Sequence, residues 1–432
     1  MMETLLMAIV AAPGLTCLAL SLFWLAGWTP SERFVGRLTA AVFGLMAVGV
    51  IWLGWLMIAS GTLSVRVSLG EWFRAGNYYF PLAMLADRLS MTMVAMTVAL
   101  AGIAASFSVR YVHRDSGFFR FFLLLHLFAF GALMAFTAGS FDVLIGGWEL
   151  VGVTSVLLIA FFGERPEPAR NAVRVFANYR IADVGLLLAS FVLHHGGSTL
   201  FTPMLPGEWP DQTSRLAGPE VLLAGFLLLI AASGKSAQGP FAGWLPRAME
   251  GPTPSSSIFY GAVSIHLGAY LLLRFEPVIQ AEPLVAYATV AVGLATAFMG
   301  TVANRVATDV KTSLAFASMT QLGIIFAEIG MGFPRFALLH IVGHAVVRTL
   351  QLLRAPSTLH DYHRMHAAAG GELGQSDTLL AALPAGVRLW LYRFGLERGF
   401  FDAWLDRLVV LPVLRLAQVL QRAPRAPGTK AW

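Results

Sequence analysis

Blocks of roughly 20 apolar residues recur from end to end of this chain, each long enough to cross a ~30 Å hydrocarbon core as a helix. Eleven can be counted, centred near residues 16, 47, 98, 128, 151, 183, 227, 263, 290, 320 and 343. The pattern predicts an all-α polytopic membrane protein, with residues 1–355 forming one transmembrane bundle. The first block, LLMAIVAAPGLTCLALSLFWLAGW, has no basic stretch before it and reads as a span rather than a cleaved signal. The seventh is unlike the rest. It runs into AASGKSAQGPFAGWLPRAMEGPTPSSS, residues 231–257, where Gly234, Gly239 and Pro240 break the helix beside Lys235. Backbone groups freed there must line protein or water, so the break predicts a site.

Polarity changes near residue 356. HDYHRMHAAAGGELGQSD marks a polar linker over 356–384, and residues 385–432 mix Leu, Trp and Phe with arginines at helical intervals. That tail is expected to lie along the membrane surface as an amphipathic helix and to dock a partner protein.

With 57% hydrophobic and 12% charged residues and a mean hydropathy of +0.70, the chain has too little polar surface for a soluble domain. A net charge of +6 does not imply nucleic acid, because the cations are scattered over short loops. The connections after spans one, three, five, nine and eleven carry Arg33, Arg37, Arg110, Arg114, Arg120, Arg165, Arg170, Arg174, Arg305, Arg354 and Arg364, and the alternate connections hold fewer. This asymmetry predicts an N-terminus outside and a C-terminus in the cytoplasm. Cys17 is the sole cysteine, which rules out a disulfide within the chain and thiolate metal clusters.

Of 30 basic side chains only Lys235, Lys311 and Lys430 are lysine. Arginine keeps its proton in proteins, whereas a desolvated lysine can give it up, so Lys235 and Lys311 are candidates for proton exchange or, alternatively, structural cations. Glu149 stands alone in LIGGWELVGVTSVLLIAFF; Arg180 and Asp183 share a helix face, as a self-neutralising pair or part of a proton path. His340, His344 and Arg348 fall at i, i+4 and i+8, stacking two imidazoles and a cation on one stripe. A hydrogen-bonded relay fits them better than a metal site, since no third ligand accompanies them. His266 and Tyr260 either extend that relay or pack the core. Glu328, near a helix end, reads as interfacial. No cofactor fingerprint or nucleophile constellation is present.

In order along the chain, GWELVG, the span with Arg180 and Asp183, GKSAQGPFAGWLPRAMEGPTP, TDVKTSLAFASMTQLG and HIVGHAVVRTL resemble the antiporter-like membrane subunits of respiratory complex I and the Mrp-type cation/proton antiporters, from about residue 82 to 360. The resemblance implies that Glu149 and Lys235 form the entrance pair of a proton path, facing each other and sharing a proton. It also implies that Asp183 is the helix-six carboxylate, and that His340 and His344 carry the central relay. Three features depart from the family. Tyr260 stands where a histidine is usual, with His266 offset by six residues; Arg348 replaces a lysine; and the second broken helix is missing. The tail resembles the sequence leading to the long lateral helix of complex I. Shortened relatives serve DAB-type inorganic-carbon uptake beside a zinc protein resembling carbonic anhydrase, which implies a hetero-oligomer in a bacterial inner membrane with that kind of partner on the tail. A shortened subunit of a complex I-like or hydrogenase-linked assembly, and a non-conducting scaffold, are the competing readings.

Overall fold

The computed structural model describes residues 1–28, 30–76, 78–196, 199–204, 216, 218–355 and 383–400, with isolated residues from 403 to 418. Among the described residues eleven helices are long and apolar enough to cross a membrane: α1 Met2–Leu25, α2 Glu32–Ala59, α3 Arg88–Tyr111, α4 Phe118–Phe136, α5 Phe141–Phe162, α6 Pro166–His195, α7 Gly218–Lys235, α8 Thr253–Arg274, α9 Pro283–Asn304, α10 Val310–Gly330 and α11 Pro334–Arg354. They coincide with the eleven blocks of the hydropathy pattern. The linker predicted over 356–384 lies, up to residue 382, outside the described residues.

Local chemistry sets several boundaries. Ser31 caps α2 by accepting from the Phe34 amide, Asp87 and Ser90 form a reciprocal capping box at the start of α3, and Asp309 caps α10 through Thr312. Proline opens α6, α9 and α11, where its missing donor costs nothing.

Contacts between helix ends define two faces. On one, Glu32 meets His113, Tyr111 Oη lies 3.1 Å from Thr253 Oγ1, and Arg120 donates to the Phe161 carbonyl. On the other, Arg274 meets Asp87 and His194 meets Asp142. A two-stranded antiparallel hairpin, β1 Val65–Ala75 and β2 Tyr78–Ala86, sits on this second face between α2 and α3. It departs from the all-α expectation. Val65 and Val67 point inward and Arg66 and Ser68 do not, an alternation of two residues too short to stand out beside long spans.

α8 is the hub: its apolar window is wholly buried, whereas α1, α2 and α11 bury 33–39% of theirs. Small residues bring other helices close. A Cβ on Gly293 would lie 2.4 Å from the Gly323 carbonyl oxygen, so α9 and α10 touch backbone to backbone there. The described part of the tail begins with α12, Ala385–Leu396. It rests on α9 through Phe394, 6.0 Å from the Phe298 ring, and through Gly395 against the Val302 carbonyl. Trp390, stacked on Phe394 at 5.1 Å, and Tyr392 remain more than half exposed.

Candidate functional site

The seventh helix stops at Lys235. Ser236 still donates to the Ala232 carbonyl, but Ala237 adopts a left-handed conformation (φ 51°), the Gly239–Pro240 peptide is cis, and the chain proceeds through short turns and Trp244–Arg247 before α8 begins. Freed groups find partners inside the protein: Trp244 Nε1 donates to the Gly234 carbonyl (2.9 Å), Ser236 Oγ to the Ile265 carbonyl (2.6 Å), and the Gly239 amide to Thr296 Oγ1 (3.0 Å). This is how a broken helix is tolerated at depth. Gly234 is needed for space, because a Cβ there would lie 2.0 Å from the Ala182 Cβ on α6. Gly234→Ala is therefore expected to push α6 and α7 apart and lower stability by about 1–3 kcal/mol, seen as a lower thermal midpoint in detergent.

Lys235 is 1% exposed. Its Nζ donates to the Trp148 carbonyl (3.0 Å) and sits 4.8 Å from the Trp148 ring centroid and 4.5 Å from that of Tyr179. Gly152 makes room, since a Cβ there would approach Nζ to 3.1 Å. Trp148 Nε1 donates to Asp183 Oδ1 (2.7 Å), Arg180 Nη2 donates to Asp183 Oδ2 (2.7 Å), and the same nitrogen donates to Glu149. Glu149 and Lys235 thus join one cluster without a direct ion pair: Arg180 holds the carboxylate, and the amine donates to the Trp148 carbonyl. Asp183 is the more buried of the two acids in the cluster, while Glu149 and Arg180 lie about a third exposed.

A buried polar seam leads from Lys235 toward α11. The rings of Tyr179, Trp244 and Tyr260 follow one another at 5.0 and 5.6 Å. Tyr179 Oη, Tyr260 Oη, Ser256 Oγ, Ser264 Oγ, Thr349 Oγ1 and Arg348 Nε are buried without a protein hydrogen-bond partner. Buried hydroxyls in this condition are sites for bridging water. Here α8 unwinds into a π turn over Ser257–Ala262 and a 3₁₀ turn over Ser264–His266. The unwinding turns His266 toward α11, where its Nε2 lies 2.9 Å from His344 Nδ1. Its Nδ1 lies 2.6 Å from the Ala262 carbonyl, which can only accept, so Nδ1 carries the proton. In neutral rings the shared proton then belongs to His344 Nδ1, leaving His344 Nε2 as an unpartnered acceptor. Tyr260 stays in the aromatic wall.

His340 is placed with other partners. Its Nδ1 lies 3.0 Å from Glu328 Oε1 and its Nε2 2.9 Å from Gln321 Oε1. Together with His344 and Arg348 it lines a cleft of about 320 Å³ that also includes Gln321, Gly343, Val347 and Gln351. Arg348 is 7% exposed, its stem resting on Gly261, with no carboxylate partner among the described residues. Lys311 is set apart from both clusters: in the first turn of α10, its Nζ lies 3.4 Å from the Gly251 carbonyl at the helix-end surface. Among the described residues no three His, Cys, Asp or Glu side chains converge as a metal site would.

Sequence reasoning missed Trp148, Tyr179, Ser264 and Gln321, and set Glu328 at the interface. Trp148 and Gln321 lie inside the motifs GWELVG and SMTQLG, so a signal existed; for Tyr179 and Ser264 only the fold reveals a role.

Residues 138–385 match the family described as "NADH:quinone oxidoreductase/Mrp antiporter, TM", and residues 72–122 match "NADH-Ubiquinone oxidoreductase (complex I), chain 5 N-terminus". NADH-quinone oxidoreductase subunit L of Campylobacter jejuni is 33% identical over 329 residues, 76% of this chain and 53% of that protein. The "Probable inorganic carbon transporter subunit DabB1" of Halothiobacillus neapolitanus is 30% identical over 320 residues, 71% of this chain and 57% of that protein. A chain of the Mrp complex from Dietzia sp. DQ12-45-1b superposes with a TM-score of 0.69 at 25% identity, over 92% of this chain and 43% of that one. The chain spans about half the length of the curated relatives it matches. A transmembrane match over more than half of its residues leads to one conclusion: this chain belongs to the NADH:quinone oxidoreductase/Mrp antiporter family of membrane proteins.

Proposed function

We infer that this chain conducts protons through a bacterial inner membrane as one subunit of a hetero-oligomeric complex. The observation that carries the reading is the buried polar line from Glu149, Arg180 and Asp183 through Lys235, Tyr179, Tyr260 and Ser264 to the His266–His344 pair. Each member has a chemical task. The carboxylates attract a proton and hold it near Lys235, whose amine can release it. The unpartnered hydroxyls anchor water between amine and imidazole. The two rings pass the proton by exchanging donor and acceptor nitrogens. Arg348, which keeps its charge, disfavours a second positive charge on His344 and sets the order of transfer.

His340 and Glu328 continue the line toward the face on which the hairpin lies, one turn along α11 from His344. Glu328 lies three residues from the end of α10 and is a candidate for the last acceptor before water. Proton flux into liposomes under an imposed potassium diffusion potential, read with a pH-sensitive dye, tests the reading. Glu328→Gln is expected to reduce the flux about ten-fold or more with the protein still monodisperse, whereas wild-type protein that moves no protons returns the chain to the scaffold reading.

Inorganic-carbon uptake is the coupled process we favour. Its support is the similarity to the DabB1 protein, the relative named above of which this chain covers the largest share. Identity to subunit L supports the alternative, a place in a respiratory assembly. We place the N-terminus outside and the tail in the cytoplasm from the arginine-rich loops, and the tail's exposed Trp390 and Tyr392 supply apolar surface for a zinc-containing, carbonic-anhydrase-like partner. Mass spectrometry of the complex purified with and without residues 385–432 decides this. A zinc protein lost on deletion supports the assignment; oxidoreductase subunits in its place overturn it.

A further inference from the structure

A cleft separate from the polar line runs between α2 and α3. Its volume is about 710 Å³, and Gly36, Ala40, Gly44 and Ala47 on α2 face Ala99, Gly102 and Ala105 on α3 across it. Small side chains leave a furrow where two spanning helices would otherwise close. Phe43 and Val98 form its floor, and both are buried. The furrow is open at Gly44, where an added Cβ would meet nothing within 4 Å.

Its charge is confined to one end. Arg33 and Arg37, one turn apart on α2, and Arg110 in the last turn of α3 all line the mouth. None of the three has a carboxylate or hydrogen-bond partner among the described residues. The acid in the mouth, Glu32, is already engaged: His113 Nδ1 lies 2.5 Å from its Oε2, and the Arg114 amide donates to its Oε1 (3.0 Å). The mouth therefore presents three uncompensated guanidiniums at the level where helices enter the membrane. From Arg33 to Ala47 the helix rises about 21 Å at ~1.5 Å per residue, somewhat more than half of a ~30 Å hydrocarbon core. An apolar furrow as deep as one leaflet with cations at its rim matches a headgroup phosphate and one acyl chain.

We propose that the α2–α3 cleft binds an anionic phospholipid, its phosphate held by Arg33, Arg37 and Arg110 and one acyl chain lying along Gly44, Ala47 and Gly102. Guanidinium forks suit phosphate oxygens in a way that a zwitterionic headgroup, with its own amine, weakens.

The test uses the full chain in nanodiscs of equal phosphatidylglycerol and phosphatidylethanolamine, released into the gas phase for native mass spectrometry. Wild-type protein is expected to retain phosphatidylglycerol about ten-fold over phosphatidylethanolamine. Arg33→Gln/Arg37→Gln/Arg110→Gln should abolish the preference. Gly44→Phe, whose Cβ meets nothing within 4 Å and whose ring would occupy the furrow, should reduce phosphatidylglycerol retention by a similar factor with the arginines intact. Equal retention of both lipids by wild type overturns the proposal. So does a Gly44→Phe protein that holds phosphatidylglycerol like the parent, which reduces the site to surface attraction. A photo-crosslinker at position 44 that captures a polypeptide instead of lipid overturns it as well.

Discussion

Lys235→Met is expected to stop proton movement and to leave the protein folded. Methionine matches the length of the lysine stem and tolerates an apolar environment, so the packing against Trp148 and Tyr179 survives. What disappears is the amine that donates to the Trp148 carbonyl. Asp183 does not become an orphan, because Trp148 Nε1 and Arg180 still bind its two oxygens. A drop in liposome flux of about 100-fold or more is expected, with a thermal midpoint within a few degrees of the parent. Lys235→Arg separates charge from proton exchange: it keeps the cation but does not release a proton, and it should also be inactive. Parental flux from Lys235→Arg would show that position 235 needs only a charge.

Arg274→Met has the largest expected effect on stability. Arg274 and Asp87 are both fully buried and joined by two hydrogen bonds, 2.6 and 3.2 Å, and Arg274 also donates to Tyr270 Oη (3.1 Å). The pair ties the end of α8 to the start of α3 and, through the Met204 amide on Asp87, to the segment before α7. Removing the cation leaves a buried carboxylate uncompensated, at a cost of about 3–5 kcal/mol. Asp87→Asn combined with Arg274→Met should recover much of that loss, since no charge is then stranded. Acid reports on the same pair. Burial alone raises the Asp87 carboxyl, but Arg274 and the Ser90 hydrogen bonds outweigh it and hold the group at about 2. A carboxyl depressed in the folded state contributes stability above its unfolded value near ~3.9 and loses it as the pH falls toward 2. In Arg274→Met the burial that remains raises the Asp87 carboxyl, so acid should relieve the stranded charge and the acid loss from this pair should vanish or reverse. Unfolding midpoints of the parent and the two variants between pH 2 and 7 check both statements.

Long-range physics made the spans legible. A helix in hydrocarbon needs length and apolarity, and both are written linearly in the chain. The break after Lys235 was legible for the same reason, because glycine and proline act locally. Partner choice was not. Glu149 bonds Arg180 rather than Lys235 because Arg180 on α6 reaches its carboxylate while the Lys235 amine turns to the Trp148 carbonyl, a matter of helix packing that no spacing reveals. His266 meets His344 because a π turn adds to the helix register between Tyr260 and His266, and nothing in SIFYGAVSIH announces that turn. Glu328 read as interfacial from its place near a helix end; the fold adds that His340 reaches it from the neighbouring helix. The hairpin was hidden because its alternating pattern spans only a few residues between two much stronger signals.

The complete burial of α8 has a consequence for how the chain is made. Thr253–Arg274 carries Ser255, Ser256, Ser257, Ser264, His266 and Arg274, all buried against other helices. Left alone in lipid during synthesis, such a segment would face several unsatisfied polar groups and a bare cation at once. Its ribosomal order places α3 and Asp87 before it, so a counter-charge is waiting when Arg274 emerges, but α11, which carries the partner of His266, arrives three spans later. Membrane insertion of α8 therefore depends on being chaperoned by the earlier helices at the translocon, and the imidazole pair is completed only when the last span closes over it.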